Sequence, residues 1–229
     1  MELAQTEFQS KDVHCSVMFH LCADGDIENV RTALENGADV NGRGTGGCTG
    51  LMFALRNKHN SVAKLLLAHP TLDPTIRCTD FRRTALHWAA IHNNVEGVSM
   101  LYSHPAVKLK SFNDKDRLGQ TPLILAVGHK CYSVAQQLLR IPGIDVNLCD
   151  NLQRSALQHA VFDDNFVIAS MLLNHPHLSS ENKKWGGVTP LAFAVKYNKI
   201  KCMPLLLADP HVDLDTRDNY KRTPLEIKQ

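Results

Sequence analysis

The chain has 229 residues, 44% of them apolar and 21% charged, with 25 basic against 23 acidic side chains. This is the composition of a folded globular chain, and a net charge of +2 without a long single-sign run excludes an electrostatic nucleic-acid or membrane arm. No stretch approaches the ~20 apolar residues of a membrane span, and the opening MELAQTEFQSKDVHC lacks the basic start and apolar core of a signal peptide.

Past residue 12, hydroxyl residues recur at Ser16, Thr49, Thr84, Thr121, Ser155, Thr189 and Thr223, 33 to 37 residues apart. A period of this length marks a stacked repeat. Each hydroxyl stands where a helix N-cap is needed, so its oxygen can accept from orphan backbone N–H groups. Proline follows at Pro122, Pro190 and Pro224, which suits the first helical position. Two residues after the hydroxyl comes a core position: Met18, Leu51, Leu86, Leu123, Leu157, Leu191 or Leu225. Small residues at Ala54, Ala89, Ala126, Ala160 and Ala194 let neighbouring helices approach. After a short polar break a second apolar helix ends in Leu66-Leu67, Leu101-Tyr102, Leu138-Leu139, Leu172-Leu173 or Leu206-Leu207. A polar extended segment then leads to the next hydroxyl.

ENGADVN (35–41), TALHWAA (84–90) and DRLGQTPL (116–123) carry a resemblance to the ankyrin-repeat family, which extends over residues 13–229. The resemblance implies an all-α solenoid of stacked helix-turn-helix pairs with projecting β-turn fingers. Repeats start near residues 13, 46, 81, 118, 152 and 186, with a partial seventh from 220, after a 12-residue N-terminal extension. The family glycine between helices persists as Gly25 and becomes Lys58, Asn93, Lys130, Asp164 and Asn198. Asn and Asp tolerate a left-handed backbone better than Lys, so looser turns are expected at Lys58 and Lys130. Proline loops such as AHPTLD and NHPHLS stop the second helices sharply. KLKSFNDKDRLG is three residues longer than its counterparts, which suggests an enlarged finger. Pro204 fits only a helix's first turn, so the sixth repeat's second helix is expected to start late. TPLEIKQ offers one helix as a thin cap, and the native polypeptide is expected to continue beyond Gln229.

Little in the sequence suggests catalysis. The seven cysteines are scattered and form no CxxC pair, the pattern of reduced thiols in a cytosolic or nuclear protein. His175 and His177 lack a Cys or Asp partner, so no metal site is expected. GRGTGGCTG lacks the Lys of a phosphate loop, and no GxSxG or HExxH occurs. No catalytic residue and no cofactor is therefore expected. The resemblance makes His87 a structural residue that bonds a neighbouring loop. Asn41 and Asn147 complete D-V-N segments, where the side chain is expected to bond its own hairpin backbone; the resemblance also makes them possible substrates of an asparaginyl hydroxylase.

Two columns remain as contact surfaces. Four residues after each hydroxyl stand His20, Phe53, Trp88, Leu125, His159 and Phe193, which the resemblance places on the concave side. Their apolar side chains either anchor a partner, Trp foremost, or pack on the neighbouring helix. Three residues before each hydroxyl, at the finger tips, stand Gly46, Phe81, Leu118, Leu152, Gly186 and Tyr220, with Trp185 alongside. Arg82, Arg83, Arg117, Arg154 and Arg222 flank them together with Asp80, Asp116, Asp150 and Asp218, a rim of mixed charge. The expectation is a monomeric, non-enzymatic scaffold or adaptor of the cytosol or nucleus that binds a segment of another protein, with no nucleic acid, membrane or metal involved. The alternatives are a ligand sensor that stacks a base between Phe53 and Trp88, with Arg56, Lys58 and Lys130 on its phosphates, or the targeting arm of a larger protein.

Overall fold

The computed structural model describes residues 18–178, 189–209, 215, 217, 221–224 and 226. Among them the chain is helical without a β-strand, and two compact units divide it, Met1–Phe112 and Asn113–Gln229. Trp185, Gly186, Asp218, Tyr220 and Leu225, named above, lie outside the described residues, as does Ser16.

The first unit holds α1 (18–24), α2 (Ile27–Glu35), α3 (Gly50–Arg56), α4 (Asn60–Leu67), α5 (Ala85–Ile91) and α6 (Val95–Ser103). The second holds α7 (Pro122–Gly128), α8 (Tyr132–Leu139), α9 (Ala156–Phe162), α10 (Phe166–Leu173), α11 (Pro190–Lys196) and α12 (Met203–Ala208). Odd-numbered inner helices pack on one another and even-numbered outer helices do the same, as in α3 on α5, α4 on α6, α7 on α9 and α8 on α10.

The hydroxyl positions cap the inner helices. Thr121 Oγ1 accepts from Ile124 N at 3.2 Å and Thr189 Oγ1 from Ala192 N at 3.1 Å. Ser155 and Gln158 form a reciprocal capping box, with Ser155 N donating to Gln158 Oε1 at 2.6 Å. In α5 the third residue is His87: Thr84 N donates to its Nδ1 at 3.1 Å, and the imidazole is fully buried. His87 thus works at its own helix start. Thr49 has the cap backbone without a side-chain cap bond.

The leucines two residues after each cap are 1–3% exposed, and the five alanines of the small column are sealed. In the outer helices Leu66, Leu101, Leu138, Leu172 and Leu206 are buried, while their successors Tyr102 and Leu207 are exposed. The first member of each pair is therefore a core residue, while the second ranges from buried at Leu139 to exposed at Tyr102 and Leu207.

Between the helices of each pair the chain passes through the left-handed region at Gly25, Lys58, Asn93, Lys130, Asp164 and Asn198, with φ between 51° and 80°. Lys58 (φ 61°) and Lys130 (φ 60°) take the same geometry as the Asn and Asp turns, so the looser turns expected there do not form. Asn57 Nδ2 donates to Ala23 O at 2.7 Å and His59 Nε2 lies 2.9 Å from the same oxygen, clamping the turn from both sides of Lys58.

Asparagines fasten one repeat to the next. Asn94 is 2% exposed; its Oδ1 caps α6 at Gly97 N (2.8 Å), and its Nδ2 donates to Leu55 O at 3.0 Å and Asn60 Oδ1 at 2.8 Å. Asn41 Nδ2 donates to Thr71 O at 2.7 Å while its Oδ1 accepts from Asp73 N at 2.8 Å. Asn147 Nδ2 reaches His177 O at 2.6 Å. Asn94 thus bonds the preceding repeat, whereas Asn41 and Asn147 reach the following one; the Asn41 amide spends both its oxygen and its nitrogen there and not on its own hairpin as expected, because a short amide fits between successive loops about one repeat apart.

The long third junction also differs from expectation. Its extra residues coil into a 3₁₀ turn, Leu109–Asn113, that drives Phe112 inward to 1% exposure, edge-on to Tyr102 at 5.8 Å. The finger that follows is of ordinary size: Asp116 N donates to Gln120 O as Asp150 N donates to Arg154 O, both at 2.9 Å. An apolar Phe in the insert explains this, since burial stabilises a plug over a projecting loop. Pro204 sits in the first turn of the six-residue α12, which starts late as its sequence requires.

Candidate functional site

The fingers are single narrow turns. Cys78 N donates to Arg83 O at 2.8 Å across the second finger of the first unit, and Thr79 N donates to Gly46 O at 2.9 Å to tie that finger to the one before. Gly46 takes a left-handed φ of 65° that favours glycine, and a Cβ there would lie 2.7 Å from Asp80 Oδ2 and displace that carboxylate. In the second unit Asn151 N donates to Leu118 O at 2.9 Å in the same way. The tips Phe81, Leu118 and Leu152 are 43, 49 and 62% exposed, and Arg82 and Arg117 beside them are exposed.

The acidic residues do not all belong to that rim. Asp116 and Asp150 are buried at the finger bases. Asp116 Oδ1 accepts from Leu118 N and Gln120 N at 2.8 and 2.9 Å, and Asp150 Oδ1 accepts from Leu152 N and Arg154 N at 2.9 Å each. A carboxylate enclosed by backbone donors serves as a turn clamp. Asp80 is exposed, so it alone of the described three is a surface charge.

Asp150 also gathers Arg154 and His159. Its Oδ2 accepts from Arg154 Nε at 2.9 Å, and His159 Nε2 lies 3.2 Å away. Burial opposes ionisation of Asp150, but hydrogen bonds from the Arg154 backbone and side chain and from His159 outweigh it and hold the carboxyl below its ordinary value. Burial lowers the His159 imidazole below its ordinary value, against the pull of Asp150, so at neutral pH a neutral ring donates Nε2–H to the carboxylate. His159 therefore braces a finger and is not an open concave contact. Two other members of the inner column are buried outright: Leu125 at 1%, and Phe193 at 8% beneath Phe162 (5.8 Å) and Tyr197 (4.5 Å). The apolar stripe is therefore closed over in the second unit at Leu125 and Phe193, the latter by the neighbouring rings of Phe162 and Tyr197.

In the first unit the two columns meet. A concavity of about 380 Å³ is enclosed by Phe19, Phe53, Phe81 and Trp88, with Arg56 and Asp80 at its sides. Phe53 leans on Phe19, ring centroids 5.4 Å apart. Arg83 lies 4.7 Å above the Phe81 ring and 5.7 Å from Trp88, and Arg56 lies 5.4 Å from Trp88. Finger tip and inner helix are thereby joined by guanidinium groups on aromatic faces, each contact worth ~0.5–1 kcal/mol where exposed. The Trp88 indole Nε1 is enclosed without a hydrogen-bond partner. His20, also in the wall, is exposed. Phe19 was not singled out in the sequence because it stands one residue ahead of the column that His20 occupies.

Cys48 and Cys78 also line the concavity. Burial pushes the Cys48 thiol up to about 12, and the neighbouring Cys78 and Asp80 push in the same direction against Arg56. A thiol held protonated at neutral pH is a poor nucleophile and a poor metal ligand. Among the described residues no group of three His, Cys, Asp or Glu side chains is placed to hold a metal ion, and no helix is long and apolar enough to cross a membrane.

Comparison with known proteins agrees with the repeat architecture. Models of ankyrin repeats match residues 18–67, 72–150 and 133–218. Inversin of Canis lupus familiaris is 32% identical over 142 residues, 61% of this chain and 13% of that protein. The nuclear factor NF-kappa-B p105 subunit of Gallus gallus is 33% identical over 147 residues, 62% of this chain and 15% of that protein. The matched region is thus a small fraction of either relative's length. The crystal structure of the ankyrin repeat domain of Bcl-3 superimposes with a TM-score of 0.80 at 21% identity, covering 93% of both chains. With periodic caps, left-handed turns, stacked helix pairs and these matches, the chain belongs to the ankyrin-repeat family.

Proposed function

We propose that this chain is a non-enzymatic protein-interaction module of a reducing compartment, the cytosol or nucleus, and that the concavity of its first unit holds a segment of a partner protein. The observation that carries this reading is the meeting of exposed Phe81 with Phe53 and Trp88 around one 380 Å³ recess. Exposed aromatic surface around a recess is typical of a binding surface, and Trp and Arg are the residues on which binding energy concentrates. The walls are fixed by helix caps and finger clamps, so little ordering opposes binding on this side. Phe53 already leans on Phe19 and Trp88 already carries Arg56 and Arg83, which favours a protein side chain over a base stacked between the two rings. The six described cysteines are free thiols, in keeping with the compartment proposed.

The test is a comparison of proteins retained from native extract by the wild-type chain and by a Phe81→Ala/Trp88→Ala variant of unchanged fold. Phe193 is left intact because it is buried. Loss of a discrete partner with the variant is the expected result. Identical retained sets from the two chains would remove the recess as the binding site.

A further inference from the structure

The second unit presents a different apolar surface at its helix turns, built on none of the residues that line the recess of the first unit. Phe162 ends α9, Phe166 and Val167 open α10, Tyr197 caps α11 and Ile200 precedes α12. Their exposures are 55, 47, 51, 53 and 66%. Phe162 and Tyr197 both rest on the buried Phe193, so a row of three rings joins the fifth and sixth repeats. Five large apolar side chains exposed on two successive repeats exceed the scattered apolar residues of an ordinary surface.

The charges around this patch have one sign to spare. Lys199 Nζ stands 5.3 Å from the Phe162 ring and Lys196 Nζ 5.2 Å from Tyr197, and Lys201 is exposed beside them. The nearby acids are occupied: Asp163 pairs with Lys130 at 3.8 Å, and Asp164 Oδ1 accepts from Lys201 N and Cys202 N at 3.1 and 3.0 Å. Among the described residues the ammonium groups of Lys196, Lys199 and Lys201 form no ion pair.

We propose that this turn surface is a second docking site, independent of the recess, for a segment of another protein that carries apolar anchors flanked by Asp or Glu. Apolar anchors cover Phe162, Tyr197 and Ile200, and the flanking carboxylates meet Lys196, Lys199 and Lys201, so charge sets the choice of partner and burial supplies the hold. A second copy is disfavoured because it brings the same three lysines to face these. An anionic membrane is disfavoured because such attachment draws on a dense basic cluster, whereas this chain carries a net charge of only +2.

A library of random 16-residue peptides displayed on phage, selected on the full chain, tests this. Two variants accompany it, Phe162→Ser/Ile200→Ser and Lys196→Glu/Lys199→Glu, each checked for an unchanged melt. The expected outcome is a set of peptides with apolar residues flanked by Asp or Glu that bind either variant at least about tenfold more weakly. The proposal is overturned if no selected peptide distinguishes wild type from both variants, or if those that do are neutral or basic. It is equally overturned if the surface instead holds phosphatidylserine vesicles or a second copy, and the serine variant releases them.

Discussion

At the scale of single residues, stability depends on a few buried polar groups with full sets of partners. His159 is neutral in the folded chain because burial lowers its imidazole below the ordinary value of 6.5. The sign follows from proton counts. The unfolded chain takes up the proton first, so this stabilisation is fully present above 6.5 and is lost as pH falls from there through the lower value of the folded chain. Asp150, also lowered, adds a loss in the same direction at more acid pH. Melting temperature is expected to fall between pH 7.5 and 5.5, and His159→Gln, which keeps a donor for Asp150, to flatten that fall; an unchanged slope in the variant would assign it to other groups. Phe112→Ala is expected to destabilise by ~3–5 kcal/mol in urea titration, the range for emptying a filled aromatic site. Residue identity was legible where the period repeats it, as with the leucine and alanine columns. It was not legible at Leu125 and Phe193, because the column four residues after the cap lies at the edge of the helix interface. Whether such a side chain is covered depends on the bulk of its neighbours, here Phe162 and Tyr197 on Phe193, and periodicity alone does not report that bulk.

At the scale of elements, seven-residue inner helices are too short to persist alone, so caps and cross-repeat bonds carry unusual weight. Asn94 does three jobs at once, and Asn94→Ala is expected to cost about 1–2 kcal/mol, a lost cap together with the bonds from Nδ2 to Leu55 O and Asn60 Oδ1. The left-handed turn at Lys58 offers the opposite change. Lys58→Gly is expected to raise stability by about 1 kcal/mol by relieving a Cβ clash, provided Asn57 and His59 keep their hold on Ala23 O; a loss in the melt would show that the lysine contributes beyond its backbone. Helix starts were legible because hydroxyl and proline announce them chemically. The 3₁₀ turn at Leu109–Asn113 was not, since an insert of mixed Lys, Ser, Phe and Asn has no period, and only the burial of Phe112 gives it a shape.

At the scale of the whole molecule, stacked repeats turn a periodic sequence into two units, each with its own buried columns. Similar repeats then differ in what they leave exposed. The first unit gathers Phe19, Phe53, Phe81 and Trp88 around a recess, whereas the second covers its inner column and exposes rings at its helix turns. The recess was half legible: both of its columns were in the sequence, but the meeting of Phe81 and Trp88 through Arg83 depends on the finger folding back over α5. The most direct test of the central claim is photo-crosslinking in native extract from a benzoylphenylalanine placed at Phe81, with the same probe at Tyr102, exposed elsewhere in the first unit, as comparison. A discrete adduct from position 81 that is absent from position 102 and abolished by Trp88→Ala is the predicted result. Equal labelling from both positions, or an adduct indifferent to Trp88, would contradict it.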